Sequence, residues 1–165
     1  MRRLFLCFIV FFAFVSDCRS EDMEEIFANT TYIIGNEYSS QRVLLVDGEY
    51  EEPYLLYVYY EDKFVCGDFN NDGLKDAAVI IAESGGGSGY YYMLAFLINN
   101  GTQFIHKASY DLGDSVIINS LEEQQGTAVV DMFVHRPGDC RADPTRRVRN
   151  VYEYSGTQVW GEGNS

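Results

Sequence analysis

Two stretches decide the fold: Ala77-Ala78-Val79-Ile80-Ile81-Ala82 and Tyr90-Tyr91-Tyr92-Met93-Leu94-Ala95-Phe96-Leu97-Ile98. Both are nearly unbroken apolar runs, and Glu83-Ser84-Gly85-Gly86-Gly87-Ser88-Gly89 separates them. Such runs suit strands buried on both faces, which places them at the centre of a covered sheet. Outward from them the chain alternates strand and turn. Asp47-Gly48 joins Val43–Val46 to Glu49–Glu51, and Asn99-Asn100-Gly101 leads into Gln103–Ser109. Both are hairpin signals, because these residues tolerate the backbone that matches strand twist. Leu55–Tyr60, Ser115–Leu121, Thr127–His135, Arg147–Tyr154 and Thr157–Trp160 read as further strands.

Thr127–His135 shows period-two alternation. Ala128, Val130, Met132 and Val134 form one apolar set, while Val129, Asp131, Phe133 and His135 form a mixed set expected to face partial solvent. Residues 21–28 carry Met23, Ile26 and Phe27 on one face of a short helical segment. The absence of a βαβ rhythm argues against a nucleotide-binding parallel sheet, and no repeat of fixed period is visible. The expected fold is mainly all-β: an antiparallel meander forming a sandwich or open barrel, with one short N-terminal helix.

The chain has 165 residues, 47% of them apolar and 15% aromatic, which supplies a core for one domain and argues against intrinsic disorder. Its net charge is −13, which disfavours nucleic acid and anionic lipid as partners, since both need a basic face.

The first twenty residues read as a secretory signal peptide. Arg2 and Arg3 precede the apolar run Leu4–Val15, and Ser16 to Ser20 turn polar. The run is short for a membrane span. Cleavage after Ser20 puts Cys18 and Ser20 at the small-residue positions, and leaves residues 21–165 as a single domain with no transmembrane span. The other option is lipidation of Cys18, because Val15-Ser16-Asp17-Cys18 resembles a bacterial lipobox, with Asp17 where a small residue is usual. Cleavage removes Arg2, Arg3, Arg19 and Asp17, leaving 9 basic and 24 acidic residues and a net charge of −15. Five of the nine basic residues lie between Arg136 and Arg149. That patch faces either its own acidic domain or an acidic neighbour. Cys66 and Cys140 remain, and an exported chain could keep them as one disulfide or as two thiols.

The sharpest motif is Gly67-Asp68-Phe69-Asn70-Asn71-Asp72-Gly73-Leu74-Lys75-Asp76. Counting from Asp68, side-chain oxygens fall at loop positions 1, 3, 5 and 9 (Asp68, Asn70, Asp72, Asp76). Gly73 stands at position 6, where the chain must turn sharply, and Leu74 at position 7 offers its carbonyl. This spacing wraps hard oxygen ligands around Ca²⁺. Position 12 is Val79 and not the bidentate Glu of an EF-hand, and a strand follows the loop instead of a helix. A metal-free Asx-rich turn has a similar composition.

Other motifs are less specific. The glycine-rich 83–89 segment lacks the Lys-Ser/Thr of a phosphate loop, so it reads as a hairpin link or a place of close backbone approach. His135 and Asp139 flank a Pro-Gly turn and could meet across it as an acid–base pair. His106 reads as structural, in an exposed-looking strand. Tyr57, Tyr59, Tyr60, Tyr90, Tyr91 and Tyr92 are favoured strand residues, and could also line a sugar or peptide groove. Asn29-Thr30-Thr31 and Asn100-Gly101-Thr102 match the glycosylation pattern.

The Gly67–Ile81 stretch resembles the calcium loop of the integrin-type (FG-GAP-like) repeat. More broadly, Cys66–Pro144 resembles a family of uncharacterised exported bacterial proteins, often lipoproteins. The likeness rests on four blocks: residues 67–79, 85–89, 112–114 and 130–139. It covers about half the chain and implies export and a calcium loop, but no activity. Where that family often shows Cys-Cys-Pro-Thr, this chain has Arg141-Ala142-Asp143-Pro144-Thr145.

The expectation is therefore a non-enzymatic calcium-binding domain, exported to the periplasm or cell exterior. Its role there is structural or partner-binding, as a monomer with an envelope or extracellular protein partner. The alternative is a small exported hydrolase using His135 and Asp139, with the 83–89 and 135–143 loops converging on substrate.

Overall fold

The computed structural model describes residues 21–36, 39–87 and 89–156. The signal peptide, the Cys18 lipidation site and the Thr157–Trp160 strand lie outside the described residues. The architecture is mainly β and antiparallel. A short helix α1 (Glu21–Ala28) precedes ten strands: β1 (Thr31–Asn36), β2 (Ser39–Leu44), β3 (Glu49–Glu52), β4 (Leu56–Gly67), β5 (Asp76–Ser84), β6 (Tyr91–Asn99), β7 (Phe104–Asp114), β8 (Ile117–Gln124), β9 (Thr127–Val134) and β10 (Arg146–Tyr152). Strands β3 to β7 form a five-stranded meander in chain order, β8 to β10 form a second meander, and β1 pairs with β2.

Why β5 can be apolar at nearly every position follows from what covers the central sheet. Ala77, Val79 and Ile81 pack with Phe27 of α1 and with Tyr32, Ile34, Val43 and Leu45 at the β1–β2 hairpin. Ala78 and Ile80 point the other way and pack with Ile118, Ala128, Val130 and Met132 of the second sheet. The central sheet is thus the middle of three layers. A strand there has no wet face, so period-two alternation gives way to a continuous apolar run.

The turns form as their sequences require. At Asp47-Gly48 both residues have positive φ (52° and 88°), and Val46 and Glu49 exchange backbone bonds across them. The strands on either side do not extend that pairing, however. β2 belongs with β1 and β3 with β4, so this turn passes the chain from one sheet to the next. Gln125-Gly126 makes the same type of two-residue turn between β8 and β9 (φ 53° and 79°).

Two expectations about exposure change. His106 lies buried, not in an exposed strand. Its Nδ1 accepts the Ile33 N–H at 2.8 Å, so its Nε2 carries the proton and donates to the Ala108 carbonyl at 3.0 Å. The imidazole ties β1 to β7 and is structural. In β9, Val129 and Asp131 are buried along with Ala128, Val130 and Met132. Asp131 is accommodated there because Arg147 and Asn119 both donate to its carboxylate.

Candidate metal centre

The 68–76 loop connects the long β4 to β5 at the edge where those strands meet the second sheet. Gly67 lets Glu123 of β8 lie against the backbone, since a Cβ there would come within 2.6 Å of the Glu123 side chain. Within the loop, short side chains accept nearby amides in the manner of successive Asx turns. Asp68 Oδ1 and Asn70 Oδ1 both accept the Asp72 N–H, at 3.0 and 2.9 Å. Asp68 Oδ2 accepts the Gly73 N–H at 3.0 Å, and Asp72 Oδ1 accepts the Leu74 N–H at 2.8 Å. Asn70 Nδ2 donates to Asp72 Oδ2 at 2.8 Å. Gly73 has φ +87°, and open space surrounds the position a Cβ would take, so its requirement is conformational.

The structure brings Asp68, Asn70 and Asp72 together at the loop surface. Asp76 occupies a different position. It is wholly buried, with Oδ2 accepting the Phe69 N–H at 3.0 Å and Oδ1 accepting the Asn99 N–H at 2.9 Å. Burial raises its pKa; the amides of Asn99 and Phe69 oppose that, and the nearby Asp72 charge adds to it. Leu74 sits at the rim, part exposed, with its N–H turned to Asp72.

No group of three His, Cys, Asp or Glu side chains among the described residues is arranged to hold a metal ion by itself. The donor chemistry is still that of a hard-cation loop. Asp68 and Asp72 supply carboxylates, Asn70 an amide oxygen, and Leu74 a carbonyl, and Ca²⁺ completes its shell with carbonyls and water. In such a shell Asp76 serves as the fixed base of the loop, with lone pairs remaining on both oxygens.

Asn99 and Glu123 are the contributors that local sequence does not mark. Asn99 is the last residue of β6, and its side chain also donates to the Lys75 carbonyl at 3.1 Å. Only the register of β5 on β6 brings it there.

The second candidate pair is arranged differently from a catalytic dyad. Asp139 accepts the Arg136 N–H at 2.8 Å, the Thr145 N–H at 2.9 Å and the Thr145 hydroxyl at 3.0 Å. The Arg136 and Thr145 amides hold its pKa below the usual carboxylate range, with His135 a smaller contributor. His135 Nε2 is buried with no hydrogen-bond partner among the described residues. The two loops of the alternative reading do meet: a Cβ on Gly89 would overlap the Arg141 guanidinium. No hydroxyl or thiol among the described residues is hydrogen-bonded to His135.

The basic patch answers its own domain. Arg141 pairs with Asp114 at 2.6 Å, Arg147 with Asp131 at 2.7 Å and Arg149 with Glu122 at 3.0 Å. Cys66 is disulfide-bonded while Cys140 is a free, exposed thiol, so the Cys66–Cys140 pairing is not made. No helix among the described residues is long and apolar enough to cross a membrane. The chain matches no protein-family model, no curated protein and no solved structure.

Proposed function

We propose that this is an exported domain whose 68–76 loop binds Ca²⁺ in a structural or partner-binding role at the cell envelope or outside the cell, with no catalytic step of its own. The observation that carries the reading is the shared acceptance of the Asp72 N–H by Asp68 Oδ1 and Asn70 Oδ1. A carboxylate oxygen and an amide oxygen converge on one N–H, beside a second carboxylate, that of Asp72 itself. An empty loop of this kind holds negative charge close together, and a divalent cation removes that cost. The resemblance of residues 67–81 to integrin-type calcium loops supports the same reading, as does the secretory layout of residues 1–20.

The hydrolase alternative gains one observation, the packing of Gly89 against Arg141. It lacks a nucleophile hydrogen-bonded to His135 among the described residues, and its carboxylate is committed to backbone amides.

Thermal unfolding in excess Ca²⁺, excess Mg²⁺ and chelator tests the proposal. Binding to the folded state alone adds RT ln(1 + [L]/Kd), about 2.7 kcal/mol at a hundredfold excess over Kd. For a domain of this size that raises Tm by roughly 5–10 °C. Asp72→Ala should abolish the shift. A wild-type Tm that is the same in Ca²⁺ and chelator reduces the loop to a turn and sinks the reading.

A further inference from the structure

We infer that a tyrosine-lined pocket beside β3 is a binding site for an organic ammonium group, of the alkylated-amine class. The pocket opens where β3 begins and β4 is left without that neighbour, at the opposite end of β5 from the 68–76 loop. Its volume is about 430 Å³, and its walls include the rings of Tyr57, Tyr59 and Tyr90 and the carboxylates of Asp47, Glu49 and Asp62.

The rings form a continuous aromatic surface. Tyr57 and Tyr59 have centroids 5.9 Å apart, and Tyr90 meets Tyr59 edge-on at 5.5 Å. The register explains the cluster. Tyr57 and Tyr59 are two apart on β4, so they share a face, and Glu49 of β3 stands directly opposite Tyr59. The Tyr59 hydroxyl meets that of Tyr92 at 3.1 Å across the small Ala82, which fixes the ring.

Charge decides the ligand class. Among the described residues three acidic side chains line the pocket, and no Lys or Arg does. Aromatic faces carry negative potential, and paired with carboxylates they favour a weakly hydrated cation over an anion or a neutral sugar. A small hard metal ion is a poorer fit, since rings offer it no lone pairs.

The backbone around the pocket is also unusual. Asp62 has positive φ (51°) and lies within a register shift of β4. Bulges and backbone of this kind gather at sites that re-aim side chains. Tyr60, another wall residue, is 6% exposed and its buried hydroxyl has no partner among the described residues.

The site needs no calcium, so its test is separate from that of the loop. Choline and its neutral isostere 3,3-dimethylbutan-1-ol are titrated into the purified protein, following tyrosine resonances by NMR. A trimethyl-lysine peptide forms a third arm, which tells a free amine from a protein side chain. The expected result is saturable binding of choline or the peptide, with the isostere about tenfold weaker. Tyr90→Ala and Glu49→Gln should each weaken the cation by about three- to tenfold while leaving the melting temperature and far-UV spectrum unchanged. Equal binding of cation and isostere overturns the inference. So does the lack of saturable binding of either cation up to about 50 mM, or indifference to both substitutions.

Discussion

Asp76 and Asn99 clasp the start of β5 to the end of β6 in both directions. The Asp76 carboxylate accepts the Asn99 N–H at 2.9 Å, and the Asn99 side chain donates to the carbonyl of Lys75 at 3.1 Å. The carboxylate reaches also to the Phe69 N–H at 3.0 Å, so one buried group fixes the loop at its far side and at its near side. A loop anchored in this way keeps its shape without an ion.

Asp76→Ala and Asp72→Ala should therefore differ in chelator. Asp76→Ala leaves two amides without their acceptor, at a cost of about 2–4 kcal/mol. Asp72→Ala removes exposed contacts and should cost less than about 1 kcal/mol. Urea unfolding in chelator measures both, and equal losses would refute the distinction between anchor and ligand.

Burial of His106 makes stability depend on pH. Its folded pKa is lowered from 6.5 to about 4 by desolvation, against the backbone bond to Ala108. The unfolded chain binds the proton more readily, so stability is full above about pH 6.5 and falls as pH drops toward 4. The total loss is of the order of 3 kcal/mol. Urea midpoints at neutral and mildly acid pH should show that slope in the wild type, and His106→Gln should flatten it. An unchanged slope in the variant would assign the acid sensitivity elsewhere.

The three arginine pairs should not weigh equally. Asp131 is 7% exposed at the side chain, and Arg147 grips it through two nitrogens, holding its pKa down to about 2. Glu122 and Arg149 are both near half exposed. Arg147→Ala should lower the melting temperature clearly, because it strands a buried carboxylate, and Arg149→Ala should barely move it. Differential scanning calorimetry of the two variants decides, and the reverse order would contradict the geometry.

The two cysteines should separate chemically. Cys140 is exposed and free, so iodoacetamide should alkylate it in the native, unreduced protein. In the full chain Cys66 should take the label only after reduction and unfolding. A chain cut after Ser20 keeps only Cys66 and Cys140, and there unfolding alone should open Cys66 to the label. Peptide mapping by mass spectrometry reads both, and labelling of Cys66 in the full chain without reductant would disprove the bond.

The parts of the fold legible in the sequence were those set by local pattern. The Ala77–Ala82 and Tyr90–Ile98 runs announced central strands, and Asp47-Gly48 and Asn99-Asn100-Gly101 announced turns. Strands β1 and the second half of β4 escaped, because Glu61-Asp62-Lys63 interrupts the apolar pattern at a bulge and Thr31–Asn36 is short and mixed. His106 looked exposed from its own strand, since its partner Ile33 lies 73 residues earlier. In the loop, the ligand-type spacing was legible, but the anchoring of Asp76 by Asn99 was not, since strand register sets it. Likewise the tyrosines could be seen in the chain, whereas their meeting with Asp47, Glu49 and Asp62 depends on how β3 lies on β4.

The outer strands of the two sheets carry opposite charges. β3 ends the central sheet with Glu49, Glu51 and Glu52, and β10 ends the other with Arg146, Arg147 and Arg149. A second molecule approaching β3 with its own β3 meets like charges, so that edge is closed to self-pairing. β10 is guarded in another way, because Arg147 and Arg149 already spend their charge on Asp131 and Glu122 of their own sheet.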